Sequence, residues 1–221
     1  MKTHFQRDME RLERDILYLG SLVEQATNKA ILALTARRPE LAEELIAGDD
    51  EIDLREVQIE DDCLKVLALH QPVAGDLRYL ISAVKVNTML ERMGDLAENI
   101  AERALSLARL APLAGAPDLT QLTADVRQMV KLSLDALVRQ DTKLAREICQ
   151  MDDAVDEMHH QICRELRDMM QQDSATVERA LHYLVAARNL ERIADHAVNI
   201  AQDVVFMVEG QVIRHGPKEN H

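Results

Sequence analysis

LERMGDLAENIAE, residues 90–102, is written again as LERIADHAVNIAQ, residues 190–202. Of the twelve aligned pairs from Leu90/Leu190 to Ala101/Ala201, eight are identical, including Glu91/Glu191, Arg92/Arg192, Asp95/Asp195 and Asn99/Asn199. A second stretch repeats as well: LAEELIAGDDEID (41–53) aligns with LAREICQMDDAVD (144–156). Two separate matches, one about a hundred residues after the other copy, imply that the chain is built from two related units.

Working outward, each unit reads as three helices. From Phe5, apolar residues fall at Phe5, Met9, Leu12, Ile16, Leu19, Val23, Ala26, Ala30 and Ala33, in steps of four and three that suit a helix packed in a bundle. Arg37, Arg38 and Pro39 end it. The spacing predicts a second helix from about Glu40 to Leu69, broken at Gln71-Pro72, and a third to about Leu110. LAPLAGAPDLT (110–120) is the one clear linker. Helices are predicted at roughly 119–140, 142–171 and 174–209, the last capped by Asp173 or Ser174. The expected fold is all-α: a tandem repeat of two three-helix bundles, six long antiparallel helices with pseudo-two-fold symmetry. The expected divisions are a first bundle at 1–110, a linker at 111–118, a second bundle at 119–210 and a frayed tail at 211–221.

Composition agrees. Hydrophobic residues make up 47% of the 221 but aromatics only 2%, with 7 Gly and 5 Pro, so the core is aliphatic and the helices long. A net charge of -13, from 39 acidic and 26 basic residues, disfavours direct binding to nucleic acid or anionic lipid. It favours solubility, cations and basic protein partners. The opening MKTHFQRDMERLERD has no apolar run and no stretch reaches the ~20 apolar residues of a membrane span. Cys63, Cys149 and Cys163 form no C-x-x-C pair and suit reduced thiols in the cytoplasm.

The repeated stripe carries the chemistry. Glu91, Asp95 and Asn99 share one helix face, as do Glu191, Asp195 and Asn199. Asp49 with Asp53, and Asp152 with Asp156, make the same arrangement on the preceding helices. With the first turn near 72–73, both acidic pairs lie about twenty residues from it, hence about 30 Å along antiparallel helices at ~1.5 Å per residue. The second unit matches within a few residues about 172–173. Four carboxylates would then meet in each half, each raising its neighbours' pKa until a cation relieves them. Oxygen ligands suit Mg²⁺, Mn²⁺ or Ca²⁺, or carboxylate-bridged iron or zinc. The plain alternative is a solvated acidic face, with Arg92 and Arg192 pairing nearby acids. His160 continues the stripe of Asp152 and Asp156 and could add a ligand in the second half alone. His196, replaced by Leu96 in the first copy, reads as an interfacial residue rather than a ligand, and His70 and His182 as helix-end or surface residues. Phosphate loops, a nucleophile elbow and H-E-x-x-H are absent, and no nucleophile–base pair can be identified.

On these residues the chain resembles the PhoU family of phosphate-transport regulators. The resemblance covers about Phe5 to Gly210, through GDDEID (48–53), QPVAGDLRYL (71–80), LERMGDLAENIA (90–101) and NLERIADHAVNIAQDVVFMVEG (189–210). It implies multinuclear iron or zinc clusters on the surface carboxylates. Carried over residue by residue, the ligands would be Asp49, Asp53, Glu91 and Asp95, with Asp152, Asp156, Glu191 and Asp195, and Asn99 and Asn199 flanking them. Positions 98 and 102 carry Glu where 198 and 202 carry Val and Gln, which leaves room for different metal counts. It further implies a non-enzymatic cytoplasmic negative regulator of the phosphate-starvation response, held at the inner membrane through protein partners. Those partners would be the ATPase subunit of a phosphate ABC transporter and a phosphate-sensing histidine kinase, and a homodimer would fit. Two other readings remain open: a carboxylate-bridged metalloenzyme, hydrolase or oxidase, and a purely structural helical protein.

Overall fold

Residues 4–48 and 50–213 are described by a computed structural model. Among them the elements are seven α-helices and one 3-10 turn, without a strand. The first repeat comprises α1 (His4–Thr35), α2 (Pro39–Ile46), α3 (Asp50–His70) and α4 (Ala74–Arg109). The second comprises α5 (Thr120–Arg139), α6 (Thr142–Gln172), the 3-10 turn Ser174–Thr176 and α7 (Val177–Glu209). Each repeat is a three-helix bundle, with α2 and α3 together matching α6. Of the tail, residues 214–221 lie outside the described residues.

The second helix of the first repeat differs from its prediction: it is two helices, not one. Ala47 closes α2 by donating its N–H to the carbonyls of Glu43 and Leu45, and Gly48 follows in a turn. Glycine is costly within a helix, and the acidic first turn of α3 (Asp50, Glu51, Asp53) suits a fresh helix N-terminus. In the second repeat Gln150 and Met151 stand where Ala47 and Gly48 do, and α6 runs through unbroken. The last helix also begins later than predicted. Asp173 caps the 3-10 turn, accepting from the Ala175 N–H at 2.9 Å, and α7 starts at Val177.

The apolar stripe of α1 is buried as its spacing predicts, from Leu12 through Leu19 and Val23 to Ala33, with Phe5, Met9 and Ala26 packed at its margin. Gly20 sits where α1 meets α5. A Cβ there would lie 2.7 Å from Cδ2 of Leu134, so the bare backbone makes room for that leucine. At the far end of α1, Arg37 donates to the carbonyls of Leu107 at 2.7 Å and Leu110 at 2.8 Å, satisfying the open end of α4.

The two repeats join through their third helices. Lys85 on α4 lies 3.6 Å from the buried Asp203 on α7 and 5.3 Å over the Phe206 ring. Toward the other end, Arg103 on α4 lies close enough to His182 on α7 to disfavour its charged form. Residue 85 facing 203 and residue 103 facing 182 fix an antiparallel crossing, with Gly94 and Ala194 near its centre. Adding one hundred to one contact nearly reproduces the other, as the pseudo-two-fold relation requires. The seam between the helices is rich in fully buried alanines, among them Ala97, Ala101, Ala187, Ala194 and Ala197. His196, half-buried here beside Arg92 and held neutral with its pKa pushed down to about 4 by burial, belongs to this interface.

Candidate metal centre

Gly94 brings the first carboxylates together. A Cβ on it would stand 3.0 Å from Cδ1 of Ile52, so α3 seats that isoleucine against the α4 backbone. Ile52 precedes Asp53 and Gly94 precedes Asp95, and the close approach occurs at the level of the acids. Asp53, Glu91 and Asp95 each offer an oxygen within 4.8 Å of the others. Level arithmetic from the turn anticipated this. Asp49 lies outside the described residues.

Nothing neutralises the three. Burial, then Asp95, Glu56 and Asp53, push the Glu91 carboxyl above its usual range, and nearby Arg92 opposes this only weakly. Asp95 is raised by burial and by Asp53. Glu56, a residue the motif reading missed, is raised by burial, Glu60 and Asp53. It is held by buried Asn87, whose amide donates to the Glu56 backbone carbonyl at 2.9 Å and to its carboxylate at 3.3 Å. Only the fourfold spacing of Asp53, Glu56 and Glu60 could have flagged this enlargement. Carboxylates crowded this way, with oxygen donors only, fit a hard or carboxylate-bridged divalent cation.

The second group is looser. Among the described residues, Asp152, Asp156, Glu191 and Asp195 are not gathered as the first three are. The pair Ile52·Gly94 is here Val155·Ala194, which puts bulk on the third helix instead of the second. The four still feel one another. Asp156 and Asp152 raise Glu191 after burial does, and burial, Glu191 and Asp156 push Asp195 up to about 6. His160 is exposed and stays outside the group. Asn99 and Asn199 do the same work in both repeats, donating to the backbone carbonyls of Asp95 at 2.8 Å and Asp195 at 2.9 Å. They brace the helices one turn beyond the acids. The sequence reading also missed His159 and Cys163, which touch on α6 at 3.3 Å.

The raised acids set a pH dependence. The Asp195 carboxyl binds its proton more tightly folded than unfolded, so its stabilisation is complete below about pH 4 and is lost as pH rises through about 6. Metal-free protein is therefore expected to lose roughly 1 kcal/mol between those limits from this group, after discounting for partial exposure. Glu91, Asp95 and Glu191 act in the same direction. Urea denaturation across that range, with Asp195→Asn as the flattened control, measures it; a curve rising toward neutrality would contradict the assignment.

Comparison with known proteins places this arrangement. The PhoU domain model matches residues 16–104 and again 119–204. A phosphate-specific transport system accessory protein PhoU homolog of Aquifex aeolicus is 43% identical over 209 residues, covering 95% of both chains. The homolog of Pseudomonas aeruginosa is 37% identical over 212 residues, 96% of this chain and 88% of that one. The crystal structure of PhoU from Pseudomonas aeruginosa superposes with a TM-score of 0.89 at 37% identity, over 94% of this chain and all of that one. The phosphate transport system regulatory protein PhoU from Streptococcus pneumoniae gives 0.86 at 30% identity, covering 95% of this chain and 99% of that one. With a domain match on each repeat and relatives aligned nearly end to end, the chain belongs to the PhoU family.

Proposed function

We propose that this protein is a regulatory adaptor of phosphate transport: it binds the ATPase subunit of a phosphate ABC transporter and links it to a phosphate-sensing histidine kinase. In this role it restrains uptake and the starvation response when phosphate is plentiful, and its carboxylate groups hold iron or zinc that stiffens the scaffold. The relatives' description as accessory proteins of phosphate-specific transport supports the setting. No helix of the described residues is long and apolar enough to cross a membrane, so contact with the inner membrane runs through partners.

One observation carries the adaptor reading. The outer face of α3 bears Leu54, Val57, Asp61, Leu64 and Ala68, at the three-and-four spacing of a helix-pairing seam. Leu54, Val57 and Leu64 are 72%, 62% and 57% exposed, although one buried stripe already attaches α3 to the bundle. The equivalent positions of α6 are Glu157, His160, Arg164, Arg167 and Gln171. The fold therefore does not need apolar residues there; a partner does. Exposed Asp50, Glu51, Asp53, Glu60 and Asp61 rim the seam against Arg55 and Lys65, so the fitting partner is apolar with basic edges. We assign it to the transporter's ATPase subunit. Two copies paired through α3 would bring Asp61 into the contact twice, which places a homodimer elsewhere.

A tagged pull-down from membranes of cells grown at high and low phosphate tests this. Wild-type protein is expected to recover the ATPase subunit and the kinase in amounts that change with phosphate. Leu54→Glu with Leu64→Glu should lose the ATPase while keeping helicity and metal. Recovery of neither partner by folded, metal-loaded protein would sink the adaptor and favour the carboxylate-bridged metalloenzyme.

A further inference from the structure

We infer that the second repeat carries a mixed nitrogen, sulfur and oxygen cation site, with His159 and Cys163 as ligands beside Asp156 and Glu191, suited to zinc. This rests on the metal reading above and changes its chemistry in one half.

The repeat makes the case. In the first unit, one face of α3 presents Asp53, Glu56 and Glu60 toward Glu91 and Asp95. In the second, the corresponding residues of α6 are Asp156, His159 and Cys163, facing Glu191 and Asp195. The aspartate and the third-helix acids are kept. The two intervening glutamates have become a histidine and a cysteine, the borderline and soft donors that an oxygen-only site lacks.

The geometry is already close. His159 Nε2 and Cys163 Sγ are 3.3 Å apart, one helical turn from each other. A tetrahedral zinc with a Zn–S distance of about 2.3 Å and Zn–N of about 2.0 Å holds its sulfur and nitrogen roughly 3.5 Å apart. The pair can therefore take the ion with no backbone movement. Both side chains are half-buried. Burial keeps the imidazole neutral and leaves its nitrogen able to coordinate. Glu191 bears on Cys163 from α7 and Asp156 on His159 from the same helix, supplying two oxygens by side-chain rotation. The cations facing the pair are Arg188 and Arg167, both exposed and able to turn to solvent. On binding, the Sγ–H bond breaks, its proton goes to solvent, and a sulfur–metal bond forms without change of oxidation state.

Cobalt(II) reports directly on sulfur ligation. Reduced, metal-stripped full-length protein titrated with cobalt should develop a near-ultraviolet thiolate-to-metal charge-transfer band that zinc abolishes. Cys163→Ser should lose the band and His159→Gln should weaken it, with helicity checked by circular dichroism. Cys63→Ser, Cys149→Ser and the pair Glu91→Gln, Asp95→Asn should all keep it. Cobalt bound by elemental analysis without the band, or a band surviving Cys163→Ser, overturns this inference and leaves the carboxylate sites standing. Failure of wild-type protein to bind any metal overturns both.

Discussion

Stripped of metal and then given ferrous iron or zinc at about a hundred times its dissociation constant, the protein is expected to melt roughly 5–10 °C higher for each site filled. Binding to the folded state alone contributes about 2.7 kcal/mol at that excess, and a chain of this size shifts by about 2–4 °C per kcal/mol. The sign in the unliganded state makes the test sharper. Replacing Glu91, Asp95, Glu191 and Asp195 together with Ala should abolish the gain and the bound metal. It should not lower the melting point of the stripped protein, because crowded, partly buried carboxylates oppose folding until a cation arrives. Ordinary damage to a core would lower both. Bound metal unchanged by the fourfold substitution would show the site assignment to be wrong.

The second large effect concerns the seam between the repeats. Leu190 is fully buried on α7, within a single core that spans both units. Leu190→Ala is expected to cost about 2–5 kcal/mol, the usual range for a leucine cavity that cannot collapse. The more informative result is the form of the transition. Because α4 packs on α7 and α1 on α5, both repeats should unfold together in one step, monitored by helicity and by calorimetry. Leu90→Ala, its repeat-equivalent on α4, should behave alike. Two separated transitions, with only the second repeat weakened, would mean that the units stand alone.

Much of this architecture was legible in the sequence for a physical reason. An amphipathic helix must repeat its apolar residues every three or four positions, so α1 was readable from Phe5 to Ala33 without a structure. The first metal group was readable because helix rise is constant: equal counts of residues on either side of the Gln71-Pro72 turn bring Asp53 level with Glu91 and Asp95. What depended on contacts between distant segments was not readable. Gly48 breaks the second helix locally, yet its repeat partner Met151 sits in an unbroken one. The pairing of α4 with α7, and the room Gly94 makes for Ile52, are tertiary facts with no local signal. His159 and Cys163 were missed for a different reason: the repeat was followed only as far as its matching acids, whereas the informative positions are those where the copies disagree.

That disagreement has a history written into the α4–α7 crossing. An antiparallel contact in which residue 85 meets 203 and residue 103 meets 182 is the self-complementary interface of an ancestral homodimer, retained after its two genes became one. A true homodimer must use every residue twice, so a basic side chain suited to one end of the interface would recur at the other. Fusion removes that obligation. Lys85 faces Asp203 here, while the descendants of the same two ancestral positions at the opposite end are Val185 and Arg103. Once joined by residues 110–119, the copies could drift apart in charge, partner face and donor chemistry while their backbones stayed alike. Duplication supplied the symmetry, and covalent linkage supplied the freedom to break it.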